Sequence, residues 1–209
     1  MPRFGRFRDV AVRLAEIVEP ALFLKSCLAA ALLTGALLTA TAAGAQPTGA
    51  HAATVGQAVD TYLALREVAF STKPEDVEVQ PVAGQEQVYG VIVEYQSNDA
   101  LITAVGFVSG DASVYRSTGG GDIGGRRDPV VADAARALVG LAQVQLSDLP
   151  RATAYPTPEP GNVRVYLLTT AGLRGAEEER VQISDTQDRL AALFVGGQKI
   201  VSAFRAAKQ

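Results

Sequence analysis

A glycine-rich junction in the middle of the chain constrains the fold more than any other stretch. Five of the seven residues 119–125 are glycine, so the backbone here can take positive φ and approach other atoms closely. Short apolar and polar segments typical of strands precede the junction, and a helical spacing follows it. Asp128 and Pro129 predict the N-cap and the first residue of that helix. The junction therefore predicts a strand, a glycine loop and a helix in succession.

Three segments before the junction carry strong strand signals. Residues 88–95, 101–108 and 112–117 are rich in β-branched and aromatic side chains. The turns between them are so short that neighbouring strands must be antiparallel. The first two segments are apolar on both faces, which is typical of central strands covered on both sides. We therefore expect a three-stranded meander at the centre of the sheet.

Helices and a hairpin are predicted around this meander. The predicted helices span residues 55–71, 129–146 and 186–206. Capping boxes at Thr54–Gln57 and Ser184–Gln187 favour the starts of the first and last helices. Between the second and third helices the sequence predicts a stiff, proline-rich connector at 147–162, then strands at 162–170 and 173–176. Gly196 and Gly197 are expected to let the last helix pack closely on the sheet.

The fold class follows from this order of elements. It predicts an α+β domain whose mainly antiparallel sheet, a β-meander plus a hairpin, is covered by three helices. Among known architectures, a roadblock/profilin-like arrangement has a similar order.

The first 45 residues predict a secretory signal peptide. Residues 1–25 carry five basic and three acidic side chains, an apolar run follows at 27–40, and Ala43-Gly44-Ala45 supplies a small-residue cleavage site. Cleavage would leave a flexible tail at 46–53 and a single α+β domain at 54–209. The alternative is a membrane anchor at residues 26–45, although the run is shorter than the ~20 strongly apolar residues of a spanning helix. Both interpretations predict an exported domain, which is periplasmic, secreted or anchored.

The composition of the exported part excludes several function classes. It contains 14 basic and 19 acidic residues, and this negative balance argues against nucleic acid or an anionic membrane as a partner. Membrane contact is expected only if the N-terminal segment is retained. The only cysteine, Cys27, lies in the signal, and the only histidine, His51, lies in the tail. We therefore expect no Ser-His-Asp triad, no Cys-His pair, no metal site and no cofactor. The acidic run at 177–179 is expected to be solvated.

The glycine loop leaves two interpretations open. Its Gly-x-Gly-x-x-Gly string matches a dinucleotide fingerprint, but four residues separate its last glycine from the helix, and no acidic residue ends a second parallel strand. Nucleotide binding is therefore disfavoured. One remaining interpretation is a structural turn, and the other is a nest for an anionic ligand at the helix N-terminus. The candidate ligand-binding residues are Gly119, Gly120, Gly121, Gly124, Gly125, Arg126 and Arg127.

Three segments resemble a family of uncharacterised bacterial proteins. With x for a position outside the resemblance, they are YRSTGGGxIG at 115–124, PxPGxVRVYxLT at 158–169 and LFxxGQ at 193–198. The resemblance covers residues 88–205 and implies no established activity or catalytic residues.

Two functions are consistent with these features. The first is a non-enzymatic, exported interaction or ligand-binding domain, whose partner is an unknown protein or small ligand. The second is a hydrolase that uses paired carboxylates in place of histidine. The candidate carboxylates near the glycine loop are Asp111, Asp122 and Asp128. The absence of an activated nucleophile favours the first function.

Overall fold

The strand that begins at Val88 is the centre of the architecture. The structure, a computed structural model, describes residues 48–181, 183 and 190–208. Strand β1 (Val88–Ser97) is buried over its first eight residues. It pairs antiparallel with β2 (Ala100–Phe107) on one side and β5 (Asn162–Thr169) on the other. The prediction of a central strand covered on both faces is confirmed.

The remaining strands extend the sheet outward from β1. β3 (Ala112–Arg116) pairs with β2, and a short β4 (Gly121–Ile123) pairs with β3. β6 (Gly172–Glu179) pairs with β5. The sheet has the order β4-β3-β2-β1-β5-β6, with every neighbouring pair antiparallel. The predicted meander and hairpin are both present, and the meander gains β4, whose residues lie within the predicted glycine loop.

Two helices cover one face of the sheet and enclose the main apolar core. They are α2 (Pro129–Val144) and α3 (Ala191–Ala206). A Cβ added to Gly197 would lie 2.8 Å from Cβ of Val93, and one added to Gly196 would lie 2.7 Å from Cδ1 of Leu138. The prediction of close packing on the sheet is confirmed for Gly197, whereas Gly196 packs against α2 instead.

The first helix, α1 (Thr48–Ser71), lies against the opposite face. It begins seven residues before the predicted start at 55, so Thr54 is inside the helix and the capping box predicted there is wrong. The prediction of a flexible tail at 46–53 is wrong for residues 48–53, which are helical. The second capping box, at Ser184–Gln187, lies outside the described residues. The sheet with helices on both faces confirms the α+β prediction.

The proline-rich connector lies along the β6 edge of the sheet and continues toward α1. The backbone N–H of Ala152 donates to Leu173 O at 2.9 Å, and that of Gly175 donates to Pro150 O at 3.0 Å. The connector therefore covers part of an edge that would otherwise be open to pairing. Within the described residues, no helix is long and apolar enough to cross a membrane.

The acidic run forms the end of β6. Glu177 pairs with the guanidinium of Arg164, and it accepts hydrogen bonds from the Asn162 amide at 2.9 Å and the Glu159 backbone N–H at 2.8 Å. Its side chain is 17% exposed. The prediction of a solvated run is therefore wrong for Glu177, because strand pairing brings it beside a cation.

Candidate functional site

The glycine loop is a tight hairpin between β3 and β4. The backbone N–H of Gly119 donates to Arg116 O at 3.0 Å, and the N–H of Arg116 donates to Gly120 O at 3.2 Å. Gly119 and Gly120 have φ of 101° and 78°, a region that costs other residues about 1–2 kcal/mol. A Cβ on Gly121 would collide with the backbone oxygen of Val114. The geometry of the hairpin is therefore sufficient to explain why positions 119, 120 and 121 are glycine.

The end of the loop is built to start α2. Gly124 has φ of 87°, and its N–H donates to Ala112 O at 3.0 Å. A Cβ on Gly125 would collide with the side chain of Val131. The Asp128 carboxylate accepts the backbone N–H groups of Val130 at 2.9 Å and Val131 at 3.2 Å. The predicted cap at Asp128 and first helical residue at Pro129 are confirmed.

The two arginines of the loop differ in their surroundings. Arg126 donates from both terminal nitrogens to the carboxylate of Glu78, each at 3.1 Å. Its Nη1 also lies 3.9 Å from Oδ2 of Asp111. Hydrogen bonds from Arg126 lower the pKa of the Glu78 carboxyl below its ordinary value. Arg127 is exposed. The proposed ligand nest thus already contains carboxylates from the domain itself, and its binding of a ligand stays a prediction.

The three carboxylates considered for hydrolysis have separate partners. Asp128 caps α2, as described above. Asp111 accepts the Ser109 hydroxyl at 2.8 Å. Asp122 lies 2.5 Å from the ammonium of Lys208 and 3.8 Å from Arg116. Among the described residues, no group of three or more His, Cys, Asp or Glu side chains could hold a metal ion.

A buried polar network between α1 and the sheet was not predicted. Arg66 of α1 donates from Nε to Glu94 Oε1 at 2.7 Å and from Nη2 to Oε2 at 2.8 Å. The Thr103 hydroxyl donates to Glu94 Oε1 at 2.9 Å, so its own oxygen must accept the hydroxyl of Tyr62 at 2.8 Å. Tyr62, Arg66, Glu94 and Thr103 are all buried. A chain of hydrogen bonds therefore joins the helix to β1 and β2.

Burial and charge act together on the ionisable groups of this network. Burial, followed by the charge of Glu94, raises the pKa of the Tyr62 hydroxyl to about 12. Burial opposes the charge on Arg66, but hydrogen bonding and charge from Glu94 outweigh it, so the pKa of Arg66 rises above its ordinary value. Both groups therefore keep their usual protonation at neutral pH, which suits a structural network better than proton transfer.

The connector closes over this network. Nη2 of Arg66 also donates to the backbone oxygens of Tyr155 at 2.6 Å and Pro156 at 3.1 Å. The Tyr155 ring stacks on Phe70 of α1 with centroids 4.2 Å apart. The hydroxyl of Tyr166 donates to Pro156 O at 2.7 Å. Arg66 therefore links three parts of the chain that are distant in sequence.

A signal for this network exists in the sequence. Arg66 lies four residues after Tyr62 and four before Phe70, so it falls on the apolar face of the first helix. Glu94 interrupts an otherwise apolar run from Val91 to Tyr95. A charged residue on each of two buried surfaces indicates that the two are paired, since an unpaired buried charge is strongly unfavourable.

Comparison of the chain with protein-family models, with curated proteins and with solved structures finds no match. The resemblances to an uncharacterised bacterial family and to the roadblock/profilin-like class therefore stay predictions.

Proposed function

We propose that this protein is an exported, non-enzymatic domain that binds another protein or a small ligand. The observation that carries the proposal is the engagement of Asp111, Asp122 and Asp128 with partners inside the domain. A general acid or base has to reach the substrate proton it transfers. Carboxylates used as a helix cap, as a hydroxyl acceptor and as the partner of a lysine support a structural role better than a catalytic one.

The export part of the proposal rests on the basic, apolar and small-residue segments of the first 45 residues. Expression in a bacterium, followed by cell fractionation and mass spectrometry, tests it. We expect a mature form outside the cytoplasm that is about 4.5 kDa lighter than the precursor, at ~100 Da for each residue removed. Full-length protein in the inner membrane, without any form of mature length, would favour the anchor.

The alternative hydrolase is tested with the same purified protein. A panel of ester, glycoside and phosphate substrates is incubated with wild type and with Asp111→Asn, Asp122→Asn and Asp128→Asn. We expect no turnover by any of them. Turnover by wild type that one of these substitutions abolishes, with the fold intact by circular dichroism, would replace the binding function with the hydrolase. Ligand binding itself is measured as a concentration-dependent rise in melting temperature.

A further inference from the structure

Several cationic side chains lie near Tyr95 at one end of the sheet, on the face that α3 covers. Tyr95, near the end of β1, lies in a cross-strand row with Ile102 of β2 and Arg116 of β3. On its other side the row continues through Val163 of β5 to Glu178 of β6. Side chains directly opposite one another on antiparallel strands share a face. Arg116 and Tyr95 are therefore on one face, separated by a single strand.

Arg180 extends over an aromatic pair at this end of the sheet. The rings of Tyr95 and Phe194 meet edge to face, with centroids 5.1 Å apart and an interplanar angle of 83°. The guanidinium carbon of Arg180 lies 5.8 Å from the Tyr95 centroid and 5.6 Å from the Phe194 centroid. Its Nη1 donates to Gln96 O at 2.9 Å. The aromatic contacts and this hydrogen bond hold one guanidinium at a defined place.

Two further cations come from the C-terminal part of the chain. Arg205 is eleven residues after Phe194 on α3, a spacing that places both on one helix face. Burial raises the pKa of the Tyr95 hydroxyl, while the charges of Arg180, Arg205 and Arg116 act in the opposite direction. Lys208 follows α3 and lies 2.5 Å from Asp122 of β4, which is also 3.8 Å from Arg116.

The balance of charge at this place is positive. We call Arg116, Arg180, Arg205 and Lys208 the basic cluster. In the described part of the chain, the carboxylates placed beside it by these contacts and by the cross-strand row are Asp122 and Glu178. Arg180, Arg205 and Lys208 are exposed. Like charges held together repel one another, and a bound anion relieves that repulsion.

We propose that the basic cluster binds a phosphate-type oxyanion. The planar guanidinium fork matches the oxygens of phosphate, and one phosphate can accept hydrogen bonds from more than one cation. A doubly charged phosphate balances several cations better than a single carboxylate does. This site rests on the proposed binding function and gives its ligand a chemical class. It is separate from the glycine-loop nest, which uses Arg126 and Arg127.

Titration of the purified protein with inorganic phosphate tests the site. Phosphate replaces chloride at constant ionic strength, and two-dimensional NMR follows the Tyr95 ring and the Arg180 amide. We expect saturable shifts of both signals, and affinity at least about tenfold lower in Arg116→Ala and Arg180→Ala, since each removes a charge-assisted hydrogen bond. Asp122→Asn should bind more tightly, because it removes the carboxylate that competes for Arg116 and Lys208.

Matched controls separate this site from general charge effects. Arg136 is an exposed arginine of α2 that pairs with Asp133 at 3.2 Å, so Arg136→Ala should leave phosphate affinity unchanged. Sedimentation with phosphatidylglycerol or phosphatidylcholine vesicles distinguishes a lipid headgroup from free phosphate. Saturable phosphate binding without sedimentation assigns a free ligand, and sedimentation with the anionic vesicles alone assigns the headgroup.

Several outcomes would overturn the proposal. The first is NMR shifts that rise linearly with phosphate and do not saturate. The second is an equal loss of phosphate affinity in Arg136→Ala and Arg180→Ala. The third is a loss of phosphate affinity in Arg126→Ala alone, which would place the bound anion at the glycine loop. If phosphate does not bind but another ligand raises the melting temperature, the phosphate site is wrong and the proposed binding function is retained. Carboxylate-dependent turnover in the substrate panel would instead remove the binding function, whatever phosphate does.

Discussion

Arg66 and Glu94 form a two-bond ion pair between the first helix and the central strand, with side chains that are 8% and 0% exposed. Burying two charges carries a large desolvation cost, and close geometry with further hydrogen bonds is needed to offset it. Here Thr103 supplies an extra donor to the carboxylate, and the Tyr155 and Pro156 carbonyls accept hydrogen bonds from Nη2 of Arg66. The pair therefore fixes both the position of α1 and the path of the connector.

Removing one partner of this pair should be strongly destabilising. In Glu94→Gln the guanidinium of Arg66 stays buried without its counter-charge, and we expect a loss of about 3–5 kcal/mol in the free energy of unfolding, measured by urea denaturation. The control is Asp133→Asn in the exposed pair with Arg136, which should cost less than about 1 kcal/mol. Equal losses in the two variants would show that burial of the first pair has no energetic consequence.

Glycine at position 197 should be required for close packing. Gly197→Ala places a methyl group 2.8 Å from Cβ of Val93, so we expect overpacking to cost about 1–3 kcal/mol. Gly140 is the matched control, because it is a helical glycine of α2 whose added Cβ would meet nothing within 4 Å. Gly140→Ala should raise the stability by up to about 1 kcal/mol through helix propensity. Thermal melts of both variants check the difference in sign.

Glu86 should make stability depend on pH. Hydrogen bonds from Arg174 at 2.9 and 2.8 Å are the main reason that the pKa of the Glu86 carboxyl falls from 4.5 to about 2. Because the pKa of the folded state is depressed, this stabilisation is fully present above about pH 4.5 and is lost as the pH falls towards 2. Glu86→Gln should therefore differ most from wild type near neutral pH.

Urea denaturation at a series of pH values checks this dependence. The difference in unfolding free energy between wild type and Glu86→Gln should shrink as the pH falls through the range between the two pKa values. Glu78→Gln is the control, since hydrogen bonds from Arg126 also lower the pKa of Glu78, but its side chain is 62% exposed and solvent weakens the interaction. A difference for Glu86→Gln that is constant across the pH series would contradict the prediction.

The sequence predicts features of this fold that depend on local chemistry. Asp128 and Pro129 identify the start of α2, and the apolar content of β1 indicates its central position. The network at Arg66 could not be placed, because its contacts join residues 28 to 90 positions apart and spacing along the chain does not specify such pairings. β4 was missed for another reason. Its three residues are inside the glycine run, where strand propensity is weak.

The glycine loop allows its structural and ligand-binding interpretations to be tested together. Gly119, Gly120 and Gly124 have positive φ, so replacement of each by Ala should lower the free energy of unfolding by about 1–2 kcal/mol. Arg126→Ala and Arg127→Ala should change it by less than ~0.5 kcal/mol, because both side chains are exposed. Thermal melts of the five variants check this pattern.

The same variants give the opposite pattern if the loop is an anion nest, because the arginine changes would then leave the fold intact and abolish binding of an anionic ligand. We expect the structural pattern, since hydrogen bonds within the chain already occupy the N–H groups of Gly119 and Gly124, and the Asp128 carboxylate occupies those at the start of α2. If all three glycine variants melt at the wild-type temperature, the structural interpretation is excluded, because none of these positions would then require the backbone conformation that glycine allows.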